Sequence, residues 1–404
     1  MSRPEIELLL NCARTTIDAG TEERIRRSIR ENIDWIYLLQ TAARHGILPL
    51  LSHSLQATCP ESVPEPLRIQ LSDHFQNTVA RNSFLTKELL KILKLFESHG
   101  MLAIPFKGPV LATSVYGNLA LRQFGDLDLL VNPRDILTAK KLLLSRGYHQ
   151  QQDIGWECHF VDREGRINVD LHRAIVPDHF NLRLEFDRSR LVPLFIEDAR
   201  VWTIPPEELL LLLAVQLGKD CCHWKVRLIQ LCDSAELIRA YPKLDWARVR
   251  DRAIESGCER MLSLNLSLIH QLFGTSLPET VLETIKADPA IESLAHHIHS
   301  RLWQEPDELP DEPSLWSFFW SYNHRFYWQM RERPRDRWIY CLHWLKVCTR
   351  AAFLPNEVDD RRFRFPKTLS FLSYPLHLAR LLLKHGRRIP RALLTNLLPE
   401  KPVK

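Results

Sequence analysis

The run Asp126-Leu127-Asp128-Leu129-Leu130-Val131 constrains the chain most, because two carboxylates alternate there with bulky apolar residues. A period of two is the signature of a β-strand, so Asp126, Asp128 and Leu130 fall on one face and Leu127, Leu129 and Val131 on the other. The two carboxylates then project from the same side, about 7 Å apart by strand rise. A strand sunk in apolar sequence that carries two charges needs a counterion, and a divalent cation is the simplest one. The competing reading is a solvated strand edge that happens to read Asp-x-Asp. The apolar neighbours argue against an exposed edge, but pattern alone leaves both readings open.

The flanking sequence supplies the rest of a small sheet. Met101–Phe106 is a short apolar run with strand character, followed by Lys107-Gly108-Pro109 and a helical stretch, Val110–Tyr116. After Asn132-Pro133 the spacing is helical up to Gly147. Glu157–Asp162 and Arg166–His172 read as a hairpin around Arg163-Glu164-Gly165, with Gly165 free to take a positive φ. In the second arm Asn168, Asp170 and His172 alternate with Ile167, Val169 and Leu171, so the polar three share a face. His159 has the opposite parity to Cys158 and Phe160. Three carboxylates on neighbouring strands form an oxygen cage suited to magnesium, which takes few carboxylates together with phosphate oxygens.

Outside this region the periodicity is helical. Asp34–Leu55 is broken at Gly46 and Pro49, and Ser72–Glu97 is long and amphipathic. Pro205-Pro206 precedes four candidate helices, Glu207–Leu217, Trp224–Ala240, Trp246–Gly257 and Glu259–Phe273. With only 13 glycines in 404 residues, the expected fold is α+β: a small mixed β-sheet with flanking helices, an N-terminal helical section and a C-terminal helical domain. The expected boundaries are 1–100, 101–205, 206–350 and a basic amphipathic tail, 351–404. The nine cysteines include no Cys-x-x-Cys pair, so free thiols in a reducing cytoplasm are expected. Cys221-Cys222-His223 lacks a second half-site and is read as core.

Several stretches together resemble the bacterial uncharacterised nucleotidyltransferase family, a branch of the polymerase β-like superfamily. They are Phe106-Lys107-Gly108, Leu121–Val131, Arg146-Gly147-Tyr148, His159 and Val169-Asp170-Leu171-His172. Weaker likeness continues at Trp224-x-x-Arg227, Cys232-Asp233 and Ala43–Leu50. The resemblance implies that Asp126, Asp128 and Asp170 bind Mg2+ or Mn2+, with Asp170 also the general base. It implies that Lys107, Gly108, Arg122 and Gly125 bind the nucleotide, and that His159 and His172 line the acceptor side. The implied reaction moves a nucleoside monophosphate from a nucleoside triphosphate to a small-molecule, sugar or protein acceptor. The pattern departs from the superfamily at Pro109, which follows the turn glycine and has no N–H to offer phosphate. Gly108 also lies farther ahead of Asp126 than in the better-known members. Trp224, Arg227 and Asp233 are read as buttressing residues.

A second class of function, a catalytically silent nucleotide-binding scaffold or sensor, is favoured by Pro109 and disfavoured by the three carboxylates. Charge adds a third. From Arg361 to Lys404 there are eleven bases and one acid, so the tail carries +10 and the rest of the chain −5. A basic amphipathic tail suits peripheral contact with an anionic membrane, and equally suits packing onto the body. Nucleic acid is not expected as a partner, because no basic stripe interleaved with aromatics accompanies the carboxylates.

Overall fold

The structure is a computed structural model that describes residues 3–177, 180, 182–184, 186–222, 225–304 and 322–353. The chain divides into two compact units, Met1–Trp303 and Gln304–Lys404. The expected boundaries at 100 and 205 fall within the first. Residues 354–404, most of the basic tail, lie outside the described residues, as do His223 and Trp224.

The acidic strand β2 (Asp126–Val131) sits inside a five-stranded mixed sheet. The other strands are β1 (Ala103–Pro105), β3 (His149–Asp153), β4 (Glu157–Val161) and β5 (Asn168–His172), in the order β1-β2-β5-β4-β3. β2 and β5 are parallel and the remaining pairs antiparallel. Pro105, which cannot donate to a ladder, lies on the edge strand β1. Gly165 takes φ +69° in the turn between β4 and β5, as the hairpin reading requires.

The alternation read from the sequence sorts the two faces of this sheet. Leu127, Leu129, Val131, Cys158, Phe160, Val169 and Leu171 all enter one core. That core is closed by the 34-residue helix α5 (Glu65–Ser98) through Leu85, Leu89, Ile92 and Phe96. A later helix, Ile136–Ser145, adds Ala139 and Leu143. Burying each such side chain contributes roughly 1.5–3 kcal/mol, which fixes the register and turns the polar residues to the opposite face. α5 begins seven residues before the expected Ser72, because Pro66 is accommodated in its first turn, where no helical N–H is lost.

Four helices precede α5: α1 (Pro4–Cys12), α2 (Ala19–Ile29), α3 (Trp35–His45) and α4 (Leu48–Thr58). The expected break between the last two is a left-handed cap at Gly46, φ +72°. Between α5 and the next helix run β1 and a short helix, α6 (Pro109–Ser114). The helix Ile136–Ser145 is α7 in chain order. After β5 a two-stranded sheet, β6 (Val192–Ile196) and β7 (Ala199–Thr203), precedes α8 (Pro206–Cys221).

The helical half continues with α9 (Leu228–Ala240), α10 (Trp246–Ser256), α11 (Glu259–Phe273), α12 (Glu279–Ala287) and α13 (Pro289–Leu302). α9 starts at Leu228 instead of Trp224. Gln230 Oε1 caps the Arg227 N–H at 2.8 Å, and Arg227 itself is extended, φ −122° and ψ 149°. Arg227 and Asp233 are therefore not placed by helical spacing. Cys221 and Cys222 are buried packing residues.

In the second unit the described helices are α14 (Tyr322–Met330) and α15 (Pro334–Phe353). They hold Tyr327 and Tyr340 stacked at 3.6 Å between ring centroids. No described helix is long and apolar enough to cross a membrane.

Candidate active site

The polar face of the sheet gathers the predicted carboxylates. Asp128 on β2 stands directly opposite Asp170 on β5, and Asp170 opposite His159 on β4. Neighbouring strands lie about 4.8 Å apart, so one row of side chains crosses three strands. His159 Nδ1 donates to Asp170 Oδ1 at 2.5 Å. His172 Nε2 donates to Asp128 Oδ1 at 3.1 Å, since an ionised carboxylate can only accept. The His172 ring is buried, edge-on to Phe106 at 5.2 Å and tilted against Trp156 at 5.6 Å. Its other nitrogen lies 3.8 Å from Glu157 Oε2. Among the described residues His172 therefore makes one side-chain hydrogen bond, to Asp128, and Glu157 acts on the ring as a nearby charge, without a hydrogen bond.

The two carboxylates of β2 differ in environment. Burial alone would raise Asp128, but Lys107, with Nζ 3.7 Å from Oδ1, and the bond from His172 outweigh it and hold the carboxyl well below the usual range. Asp126 is exposed to the cleft and is pushed up to about 6, first by the charge of Asp128 and then by desolvation. Such a pair has an unneutralised acidic surplus at its open end. The donors there are hard carboxylate oxygens, which fit Mg2+ or Mn2+ with the remaining positions left to water and phosphate. Among the described residues no three His, Cys, Asp or Glu side chains converge closely enough to form a complete metal cage.

Lys107 and Gly108 begin the turn into α6. Gly108 has φ +52° and ψ −117°, a conformation that L side chains rarely adopt, and a Cβ there would lie 3.4 Å from the Asp126 carbonyl. The glycine therefore lets this turn press against the start of β2. Pro109 occupies the first helical turn, where a missing N–H leaves no helical bond unmade.

Arg122 is placed differently from the role its family resemblance implies. Its guanidinium is buried and forks onto Asp233 of α9, with Nε to Oδ1 at 2.7 Å and Nη2 to Oδ2 at 2.8 Å. Burial opposes its charge, but Asp233 outweighs burial and holds the group above the ordinary arginine value. Tyr116 Oη donates to the same Asp233 Oδ1 at 2.8 Å. Asp233 is the buttress read from the sequence, and Arg122 is its partner.

A cleft of about 380 Å3 opens between this face and the helices beyond Glu207. Lys107, Gly108, Gly125, Asp126 and Asp128 line one wall, and Gln216, Asp220, Arg227 and Gln230 line the other. Ala43 and Gly46 reach it from the N-terminal helices. Sequence reasoning did not single out Gln216, Asp220 or Gln230. Gln216 and Asp220 are four apart in a leucine-rich helix and so share a face, a signal that was present. Asn82 was also missed: buried in α5, it donates to the carbonyls of Leu119 (2.6 Å) and Arg122 (2.9 Å), pinning the loop that leads into β2.

A family model described as "Uncharacterised nucleotidyltransferase" matches residues 31–274. The chain belongs to this nucleotidyltransferase family. The matched span contains both walls of the cleft, so sheet and facing helices are one family unit. No curated protein matches the chain.

Among solved structures, the family member is similar to the antibiotic-resistance factor ANT(2'')-Ia, studied in solution, with 14% identity and a TM-score of 0.28 over 54% of this chain and 99% of that one. It is also similar to an antigenic nucleotidyltransferase-like protein from Paracoccidioides brasiliensis, with 14% identity and a TM-score of 0.30 over 52% and 93%. Both likenesses are too distant for residue-by-residue correspondence.

Proposed function

We propose that the protein transfers a nucleoside monophosphate from a nucleoside triphosphate to an acceptor, releasing pyrophosphate, with Mg2+ or Mn2+ held by Asp126 and Asp128 together with water and phosphate oxygens, and with Asp170 on the neighbouring strand as third carboxylate and general base. The observation that carries the reading is the placement of these carboxylates on one sheet face, with Asp126 and Asp128 in the wall of a cleft that also contains Lys107 and Gly108. The divalent ion supplies charge neutralisation of the phosphoryl oxygens and of the leaving pyrophosphate.

The remaining work belongs to the chain. An acceptor oxygen attacks the α-phosphorus, the bond from that phosphorus to the bridging oxygen breaks, and the electron pair leaves with pyrophosphate. The acceptor proton passes to Asp170, oriented by the bond from His159. Lys107 and His172 keep Asp128 ionised for its part in the site. Positioning and charge stabilisation provide most of the acceleration in such a reaction.

The acceptor is proposed to be a small molecule, a sugar or a protein side chain. The eight free cysteines found among the described residues support a reducing, cytoplasmic setting. Membrane contact through the tail remains a proposal from its charge alone. Pro109 favours a second reading, in which the protein binds the nucleotide without turnover. One assay separates the two: release of labelled pyrophosphate from each of the four NTPs with Mg2+ or Mn2+, in the presence of candidate acceptors. Transfer predicts release that Asp126→Asn and Asp128→Asn each abolish. Metal-dependent NTP binding with no release, across small-molecule, sugar and protein acceptors, would favour the silent scaffold.

A further inference from the structure

Three cations line the cleft, Lys107, Arg122 and Arg227, and two of them already face carboxylates. Lys107 lies against Asp128, and both ends of the Arg122 fork are engaged by Asp233. Arg227 is exposed on the wall opposite β2, and among the described residues it makes no ion pair. Asp126 and Asp220 share the cleft with it, so the cleft has an acidic surplus and one guanidinium left over.

The main chain at Arg227 is fixed although its side chain is not. Asp220 Oδ2 accepts from Gln230 Nε2 at 2.6 Å, and Gln230 Oε1 accepts the Arg227 N–H at 2.8 Å. The next N–H, that of Leu228, donates to the buried His45 Nδ1 at 3.1 Å. The Arg122–Asp233 pair anchors the same helix one and a half turns further on. A guanidinium mounted on so constrained a backbone, facing two carboxylates suited to a divalent ion, is placed to receive an anion bridging the two walls. Its planar fork matches phosphate oxygens in pairs.

We propose that Arg227, and not Arg122, holds the pyrophosphate end of the nucleoside triphosphate in this cleft. The inference rests on the transferase reading above. It assigns the β- and γ-phosphates to the helical wall and leaves the α-phosphate to the carboxylate wall. Arg227 therefore separates triphosphates from monophosphates.

The test is equilibrium titration of the full chain with Mg2+ and each of ATP, GTP, CTP and UTP, and with the matching monophosphates. Wild type, Arg227→Ala and Arg227→Lys are compared, with the exposed Arg134→Ala as control. Loss of a charged phosphate contact predicts at least about tenfold weaker triphosphate binding in Arg227→Ala. Part of this is recovered in Arg227→Lys, and monophosphate binding is unchanged in both. Triphosphate affinity equal to wild type in Arg227→Ala overturns the inference and leaves the transferase reading standing. Equal losses for tri- and monophosphates also overturn it, since a general disturbance of the wall would do the same. If wild type binds no triphosphate, the transferase reading itself falls and takes the inference with it. Because Arg227 is exposed and makes no ion pair among the described residues, the variants should unfold at the wild-type denaturant midpoint.

Discussion

At the scale of single residues, the site depends on how one carboxylate is kept charged. Asp128 is buried, and its ionisation is sustained by Lys107 and by the bond from His172. His172 is itself held between Phe106 and Trp156, so its ring cannot swing away. Removing a residue that orients a metal ligand typically costs about 10- to 100-fold in metal affinity. His172→Ala is therefore expected to weaken Mn2+ binding by about that factor, measured by direct titration, while Asp170 keeps its bond from His159. His172→Asn, which can still donate to Asp128, should recover part of the loss. Unchanged Mn2+ affinity in His172→Ala would mean that Asp128 needs no help from below.

At the scale of elements, a buried ion pair joins the sheet side to the helical wall. Arg122 ends the loop pinned by Asn82 of α5, and Asp233 belongs to α9. Breaking a buried pair from one side leaves an uncompensated charge and costs about 3–5 kcal/mol. Arg122→Ala is expected to lose stability on that scale in urea unfolding, because it strands Asp233 and leaves Tyr116 as its remaining donor. A loss under 1 kcal/mol would show that the joint is held elsewhere.

This joint also marks where the sequence became hard to read. The alternation of Asp126–Val131 and Asn168–His172 is enough to turn three carboxylates and His172 away from the apolar side of their strands, because apolar burial on the other face fixes parity, whereas the facing of His159 depends on how β4 pairs with β5. Pairing across 111 residues, as between Arg122 and Asp233, leaves no such periodic trace. On family likeness alone Arg122 reads as a phosphate ligand, because nothing in the local sequence points to Asp233. The start of α9 was misplaced for a similar reason: the cap at Arg227 comes from a glutamine, and its local sequence continues a helical pattern. The strands β3, β6 and β7 were not anticipated. His149–Asp153 is wholly polar and exposed, so it offers no alternation to detect.

At the scale of the whole molecule, the N-terminal helices are part of the cleft wall. Gly46 lines the cleft, and His45 accepts the first N–H of α9, so the chain's beginning holds the helix that faces the carboxylates. Burial, then Arg44 and Arg227, pull His45 from the ordinary 6.5 down to about 4. The folded protein then binds fewer protons at this site than the unfolded chain. The associated stability is fully present above pH 6.5 and is lost as pH falls toward 4, up to roughly 3 kcal/mol. Asp126 acts in the opposite sense, since its raised carboxyl favours the folded state at lower pH and loses that advantage as pH rises through about 6. Comparing His45→Gln with wild type isolates the histidine: the difference in unfolding free energy should shrink or reverse between pH 7 and pH 5. A constant difference across that range would remove His45 from the pH dependence.

The proposed transfer requires that the β2 carboxylates hold a divalent ion with a nucleoside triphosphate. The direct measurement is the thermal unfolding of wild type and of Asp126→Ala/Asp128→Ala with each NTP, with and without Mg2+ or Mn2+. A ligand at a hundred times its dissociation constant stabilises the fold by about 2.7 kcal/mol. The predicted result is a rise in Tm for wild type with at least one NTP, only when metal is present, and none for the double variant. The claim is contradicted if no NTP shifts wild type, or if the double variant responds as wild type does.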